Sequence, residues 1–422
     1  MQQIFNDVAC TVCGCVCDDL QLTVDGSELV EVRRACRLAE PWFATLRAAS
    51  TRPTATISGQ PAAFDEAVAR AVEILHAATK PLIYGLSRSS TAGQRAAIAL
   101  AEQLGATIDT PGSSNPAATL ALHTIGTSTC SLGEVRNRAD LVIFWRADPL
   151  ITHPRHLERY SAAPCSEFLP NGRADRKLIV VDSQPTETAA AADEFLAIES
   201  GNALVFIETL KKLVSGEELG TPDNSGLSLA QIEQLAAQMK SCRYGALFFD
   251  VGQGTNDESR VVEALLSLVR DLNKSTRFTA HYLPSSSGLT GAETVLCWQT
   301  GFPFAVNFAS GFPRFHREDY SANQLLERGE VDACVVVGSE TVGKLSAAAQ
   351  HALHSVNTIT LDYPNVESAL AGTVQFTAAV YGIHTPGTAY RMDGVPIPLR
   401  KYIDTTYPTD ETVLNTLAAR LK

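Results

Sequence analysis

Residues 138–161 read RADLVIFWRADPLITHPRHLERYS. Positions 141–145 are five consecutive apolar residues, bounded by Asp140 and Arg146. Such a run is too short for a helix and too uniformly apolar for a strand with one wet face, so it predicts a strand covered on both sides. The theme recurs in KPLIYGL (80–86), RKLIVVD (176–182), YGALFFDVG (244–252), VDACVVVG (331–338) and NTITLDY (357–363). Between these runs, FDEAVARAVEILHAA (64–78) and SRVVEALLSLVRDLN (259–273) place apolar residues at helical spacing. Buried strands alternating with helices predict an α/β fold with parallel sheets.

At 422 residues and 45% hydrophobic content the chain exceeds one simple core. SGEELGTPDNSGLS (215–228) concentrates turn residues and marks a boundary. The expected division is an N-terminal cysteine-motif domain over 1–55, α/β domains over 56–220 and 221–375, and a C-terminal segment over 376–422. That last segment contains the turn-rich GIHTPGTAYRMDGVPIPLRKY (382–402) and is expected to wrap back over the first part of the chain. Asp and Glu total 46 against 34 Lys and Arg, a net charge of −12 with no basic block, which argues against nucleic-acid binding. No stretch approaches the roughly 18 apolar residues of a membrane span, and the start MQQIFNDVACTVCG lacks the pattern of a secretory signal. A cytoplasmic location is expected, and ten cysteines in this length are too dilute for a disulfide framework.

Five of those cysteines precede residue 40. In CTVCGCVCDDL (10–20), Cys10, Cys13 and Cys17 follow C-x2-C-x3-C, and Cys36 lies 19 positions further on. Three thiolates on a tight loop plus a fourth from a later turn suit the corners of a [4Fe–4S] cluster, with Cys15 as a spare. Zinc usually pairs C-x2-C with a second such pair or with H-x3-5-H, and neither follows here. The spacing favours iron–sulfur ligation and leaves zinc and unligated thiols open.

These cysteines, the 138–161 string, TGFPFAVNFASGFPRF (300–315) and GTAYRMDGVPIPLR (387–400) together resemble the B subunit of formylmethanofuran dehydrogenase, from about residue 8 to about 402. The resemblance implies an architecture like that of molybdopterin formate dehydrogenases: a small cysteine-motif domain, then two α/β domains with parallel sheets around a cleft. In the archaeal enzymes this subunit carries one [4Fe–4S] cluster and a tungsten or molybdenum bis-pterin centre that reduces CO2 to formate. Its metal-binding cysteine lies in a stretch approximating D-x-x-x-x-x-C-H-G-P. The matching segment here is IDTPGSSNPAATLALHTIG (108–126); aligning Pro116 with that proline puts Ser113 at the cysteine, with Ser114 and Asn115 replacing His-Gly. The family's W-G-x-N-P turn is here Trp145-Arg146-Ala147-Asp148-Pro149, and VGSET (337–341) stands for a Ser-Asp-Pro turn. Arg146 fills the place of a small residue, and the carboxylate of Asp148 repels phosphate.

These departures resemble the family branch found in formyltransferase/hydrolase complexes of methylotrophic bacteria, which move a formyl group from tetrahydromethanopterin to a methanofuran-type carrier and hydrolyse it to formate. The resemblance implies a structural B subunit, not itself catalytic, partnered by the A, C and D subunits. It further implies no molybdopterin or tungstopterin, and a degenerate pterin cleft at Ser113, Trp145, Arg146, Asp148 and Gly252. The alternative is a catalytic dehydrogenase subunit with Ser113 as an oxygen ligand to the metal. Of the remaining signals, His153 and His156 in HPRH are read as structural, because Pro154 breaks a helical i, i+3 pair. Gly252-Gln253-Gly254 is read as a strand exit, and Arg391 with Asp393 as a loop fastening. Cys130, Cys165, Cys242, Cys297 and Cys334 are expected to be buried, inert thiols.

Overall fold

The run at 141–145 is the central strand of an all-parallel sheet, in the order Glu194–Ala197, Lys177–Asp182, Leu141–Trp145, Tyr244–Phe249, Arg277–Tyr282. Its residues are all buried because period-two alternation sends them to two covered faces. Leu141, Ile143 and Trp145 join a core with Phe206, Leu235 and Leu265 from the helices Ala203–Ser215, Leu229–Ser241 and Asn256–Leu272. Phe144 lies on the other face, stacked on Phe248 at 5.4 Å, with the His156 ring edge-on to Phe248 at 4.6 Å.

The second sheet has nine strands, in the order Arg314–Phe315, Val306–Asn307, Thr107–Asp109, Pro81–Gly85, Ala333–Val337, Asn357–Asp362, Val374–Thr377, Ala55–Ile57, Gln60–Ala62. The five from Thr107–Asp109 to Val374–Thr377 are parallel, and antiparallel strands flank them. Ile83, Val335 and Ile359 face the helices Phe64–Ala77, Thr91–Leu104 and Asp410–Arg420, whereas Tyr84, Cys334 and Val336 pack with Leu326, Val342 and Leu353. A three-stranded antiparallel sheet, Gln2–Val8, Leu20–Asp25 and Glu28–Arg33, carries the cysteine segment in one of its connections.

This mixed α/β arrangement, taken from a computed structural model, describes residues 1–422 except 48–49, 218–225, 252–255, 284–288 and 367–369. Contacts gather it into a split unit, Met1–Ser114 with Ser287–Lys422, and an inserted unit, Asn115–Ser286. The divisions expected after residues 55, 220 and 375 do not coincide with these units. Pro81–Gly85 is hydrogen-bonded along its length to Ala333–Val337, so no boundary can separate them. Most of the turn-rich stretch 215–228 lies outside the described residues; the helix that ends at Ser215 and the one that begins at Leu229 both belong to the inserted unit. In the C-terminal segment the Met392 N–H donates to the Gly14 carbonyl at 2.8 Å.

Each of the two sheets built on parallel strands contains a switch point. From Leu141–Trp145 and Tyr244–Phe249 the chain proceeds to opposite sides, as it does from Pro81–Gly85 and Ala333–Val337. A crevice opens beyond the carboxyl ends of two such strands, the usual place for ligands in open α/β sheets.

Candidate functional site

Ser113 belongs to the split unit, on a single 3-10 turn, Pro111–Ser114, that follows the strand Thr107–Asp109. Its hydroxyl donates to Asp109 Oδ2 at 2.6 Å. Asp109 is fully buried, and three backbone donors take up the rest of its carboxylate: Thr110 and Ala305 N–H on Oδ1, each at 2.9 Å, and Ala322 N–H on Oδ2 at 2.7 Å. Burial pushes its pKa up to about 6 against the pull of those bonds. The carboxyl of Glu293 lies directly over Gly112, where any Cβ would collide with it. Burial first, and then the charge on Asp109, pushes Glu293 up to about 8. Two carboxyl groups therefore lie against the turn that carries the serine. Ser114 accepts a bond from Asn323 and donates to the Lys344 carbonyl, while Asn115 begins the inserted unit.

Trp145, Arg146 and Asp148 lie at the switch point of the inserted unit. Trp145 stacks on Phe206 at 5.9 Å, and its buried Nε1 has no hydrogen-bond partner among the described residues. Arg146 holds φ at +49°, the left-handed conformation that a glycine takes without strain, and its Nη2 donates to the Ser200 carbonyl at 3.4 Å. The Asp148 carboxylate caps a neighbouring turn of helix. It accepts from Glu187 N–H at 3.2 Å, Thr188 N–H at 3.1 Å and the Thr188 hydroxyl at 2.5 Å. Gly252, with Gln253 and Gly254, lies outside the described residues. His153 and His156 are buried; burial holds His153 down at about 4 and pulls His156 well below its ordinary range, so both are neutral imidazoles. Arg391 grips Asp393 through two bonds, at 2.8 and 2.7 Å.

The switch point of the split unit holds a group that no sequence motif marks. Helix Thr91–Leu104 begins there, with Ser90 accepting from the Gly93 N–H at 3.1 Å. Asp410, at the start of the last helix, fits against the same turn: Ser89 donates its hydroxyl to the Asp410 carboxylate, which also stands where a Cβ on Gly93 would be. Arg88 pairs with Glu340 at 3.3 Å. A cavity of about 110 Å³ beside them is lined by Trp42, Arg88, Glu340, Tyr363 and Asp410 among others. Ser89 and Asp410 lie 321 residues apart, which is why spacing gives no warning of the contact.

In the cysteine segment, the Cys10 N–H donates to the Cys17 carbonyl at 2.7 Å, and Val16 takes φ +39° to turn the loop. Cys10, Cys13, Cys15 and Cys17 are buried, and Cys36 is half-buried. Burial raises the Cys10 thiol well above its ordinary pKa, and charge on Cys13, Cys17 and Cys36 adds to that, so the four sulfurs of the motif feel one another. Cys15 hydrogen-bonds with both Cys13 and Cys17, which lowers the pKa of Cys13 and raises its own. Among the described residues no three His, Cys, Asp or Glu side chains converge as ligands of a single metal ion.

The five remaining cysteines do not share one environment. Only Cys334 is fully buried; Cys165 is exposed, and Cys130, Cys242 and Cys297 are half-buried. Burial raises the thiols of Cys242, to about 11, and of Cys297. Cys130 sits beside His281, a pairing of two residues far apart in sequence that no motif announced.

No family model matches the chain. It is 34% identical over 412 residues to the B subunit of the tungsten-containing formylmethanofuran dehydrogenase 2 of Methanocaldococcus jannaschii, covering 96% of this chain and 95% of that protein. The protein of the same name from Methanococcus maripaludis is 30% identical over 409 residues, with coverages of 95% and 94%. The B subunit of the Methylorubrum extorquens formyltransferase/hydrolase complex is 28% identical over 293 residues, 68% of this chain and 74% of that one. A chain in the crystal structure of that complex, solved with methylofuran, superposes with a TM-score of 0.71 at 26% identity, covering 87% of this chain and 98% of its own. On these matches, the chain belongs to the family of formylmethanofuran dehydrogenase B subunits.

Proposed function

We propose that this chain is the B subunit of a formyltransferase/hydrolase complex in tetrahydromethanopterin- and methanofuran-linked one-carbon metabolism. In this reading it holds the A, C and D subunits together and runs no redox chemistry of its own. The observation that carries the reading is the bond from the Ser113 hydroxyl to the buried Asp109 carboxylate. A serine binds a high-valent metal as an alkoxide, and deprotonating Ser113 would set that alkoxide 2.6 Å from a second anion. The proton is already committed to Asp109. Cysteine, the soft donor used elsewhere in the family, is absent from the position.

The pterin dinucleotides do not fit either. Their diphosphates need backbone N–H groups and cations at strand ends. In the split unit those features are met by the chain's own carboxylates, Asp410 at the helix start and Glu340 on Arg88. In the inserted unit Asp148 stands at the turn, with Arg146 in a glycine's conformation. The molybdopterin formate-dehydrogenase architecture is thus read as a retained scaffold with a degenerate cleft.

The cysteine segment does fit a [4Fe–4S] cluster. Cys10, Cys13, Cys17 and Cys36 offer soft donors that are near one another, and cluster thiolates each take a separate iron, so they need not converge on one ion. Bound there, a cluster would supply folding free energy rather than an electron path. Tyr381 and Leu399 from the C-terminal segment pack on Ala9 and Val16 beside the loop, so the staple would fasten both ends of the chain. Protein purified without oxygen is expected to show the broad visible charge-transfer absorption of an iron–sulfur protein, and Cys13→Ser to lose that band. An absence of iron and sulfide from the anaerobic protein would refute the assignment.

A second reading, a catalytic tungsten or molybdenum dehydrogenase subunit, is favoured by the higher identity and fuller coverage of the tungsten-containing relatives. Metal and pterin analysis of the native complex separates the two: the proposal expects neither metal in stoichiometric amount and no pterin fluorophore. A cytoplasmic location completes the proposal. Among the described residues no helix is long and apolar enough to cross a membrane.

A further inference from the structure

Residues 126–131 of the inserted unit run beside its edge strand, Arg277–Tyr282, held by the Ala280 N–H donating to the Ser128 carbonyl at 2.8 Å. Thr279 and His281, two positions apart on that strand, present their side chains to the same face. Cys130 Sγ lies 3.6 Å from His281 Nε2 and 3.8 Å from Thr279 Oγ1. The other ring nitrogen, Nδ1, is 3.4 Å from Thr129 Oγ1, and Nε2 is 3.1 Å from Thr279 Oγ1. Phe248 stacks on the imidazole at 4.9 Å and 24°. From the neighbouring strand the Tyr244 phenol hydrogen-bonds to the Cys130 sulfur; burial first, and then that bond, keeps the phenol protonated far above its ordinary range. His281 is 6% exposed, while Cys130 is half-buried and Thr129 exposed.

A thiol, a base within reach of it, and side chains that fix the base are the parts of an activated nucleophile. We propose that Cys130 is a nucleophilic thiol, with His281 as its base, that is modified by small soft electrophiles, low-molecular-weight disulfides in particular. The thiol proton passes to His281 Nε2 as the sulfur attacks one sulfur of the disulfide. A new S–S bond forms, the old one breaks, and the proton leaves on the departing thiol. The disulfide is the oxidant, so no other reagent is needed. The charged and titratable groups facing the pair are His281, Tyr244, and Glu134 with Arg138, both of which act on Tyr244; His156 lies across Phe248. Of the other four cysteines outside the N-terminal motif, Cys165 is exposed, Cys242 and Cys297 are half-buried like Cys130, and Cys334 is buried. The inference is independent of the role proposed for the chain in its complex.

The test is pulsed labelling of the native full chain with iodoacetamide, and separately with oxidised glutathione, read by peptide mass spectrometry. If exposure alone governs reactivity, Cys165 is labelled first; activation by His281 puts Cys130 first. His281→Gln should slow Cys130 about tenfold or more. Thr129→Ala, at an exposed position that leaves the core untouched, should slow it by a smaller factor, which keeps the test available if the histidine variant does not fold. Cys165 reacting faster than Cys130 in the native protein, or Cys130 reacting at the wild-type rate in both variants, overturns the proposal.

Discussion

Asp109 and Glu293 place two carboxyl groups against the turn that carries Ser113, and their pKa values of about 6 and about 8 make the split unit sensitive to alkali. The ordinary values are 3.8 and 4.5, so each group holds its proton more tightly folded than unfolded. Stability from Glu293 is complete below about pH 4.5 and is lost as pH rises towards 8; Asp109 contributes in the same sense between about 3.8 and 6. Between pH 6 and 8 Glu293 is therefore the main source of the slope from this pair. Denaturant midpoints of the wild type should fall across that window, and those of Glu293→Gln should stay nearly level; equal slopes would contradict the assignment. At this scale the sequence was half legible. Family strings placed Ser113 and the Trp145–Asp148 turn, but Glu293 lies far along the chain in a helix with no motif, and only folding brings it over Gly112.

Helices and strands were the most legible level, because burial on both faces imposes an apolar run that needs no partner to be recognised. Their pairing was not. The switch point of the split unit joins strands from the two ends of the chain, and Gly85 ends one of them at φ +108°. A Cβ there would meet the Val337 carbonyl and come within 2.9 Å of Thr341 Oγ1. Gly85→Ala should cost about 3 kcal/mol from the strained backbone and the collision together, read as a lowered denaturant midpoint. Asp410 does at the neighbouring helix start what a bound anion would do. Asp410→Ala should cost about 1–2 kcal/mol, as for a lost cap, and its melting temperature should rise on adding inorganic phosphate while that of the wild type does not. A wild-type protein stabilised equally by phosphate would mean that the helix start is not self-capped.

At the scale of the molecule, the domain boundaries were the least legible feature. A unit split by an insertion has termini that meet only in space, and composition along the chain cannot reveal that. The family assignment, in contrast, rested on long strings spread from residue 10 to residue 400, and full-length alignment supports it. On the proposed reading, the neutralised switch points, the oxygen at 113 and the occupied carboxylate at 109 belong to a redox scaffold put to structural use beside catalytic partners. The direct measurement is elemental and pterin analysis of the complex isolated from its native host with the A, C and D subunits. All four subunits should co-purify without tungsten, molybdenum or pterin. One equivalent of either metal per copy of this chain, lost on Ser113→Ala, would contradict it.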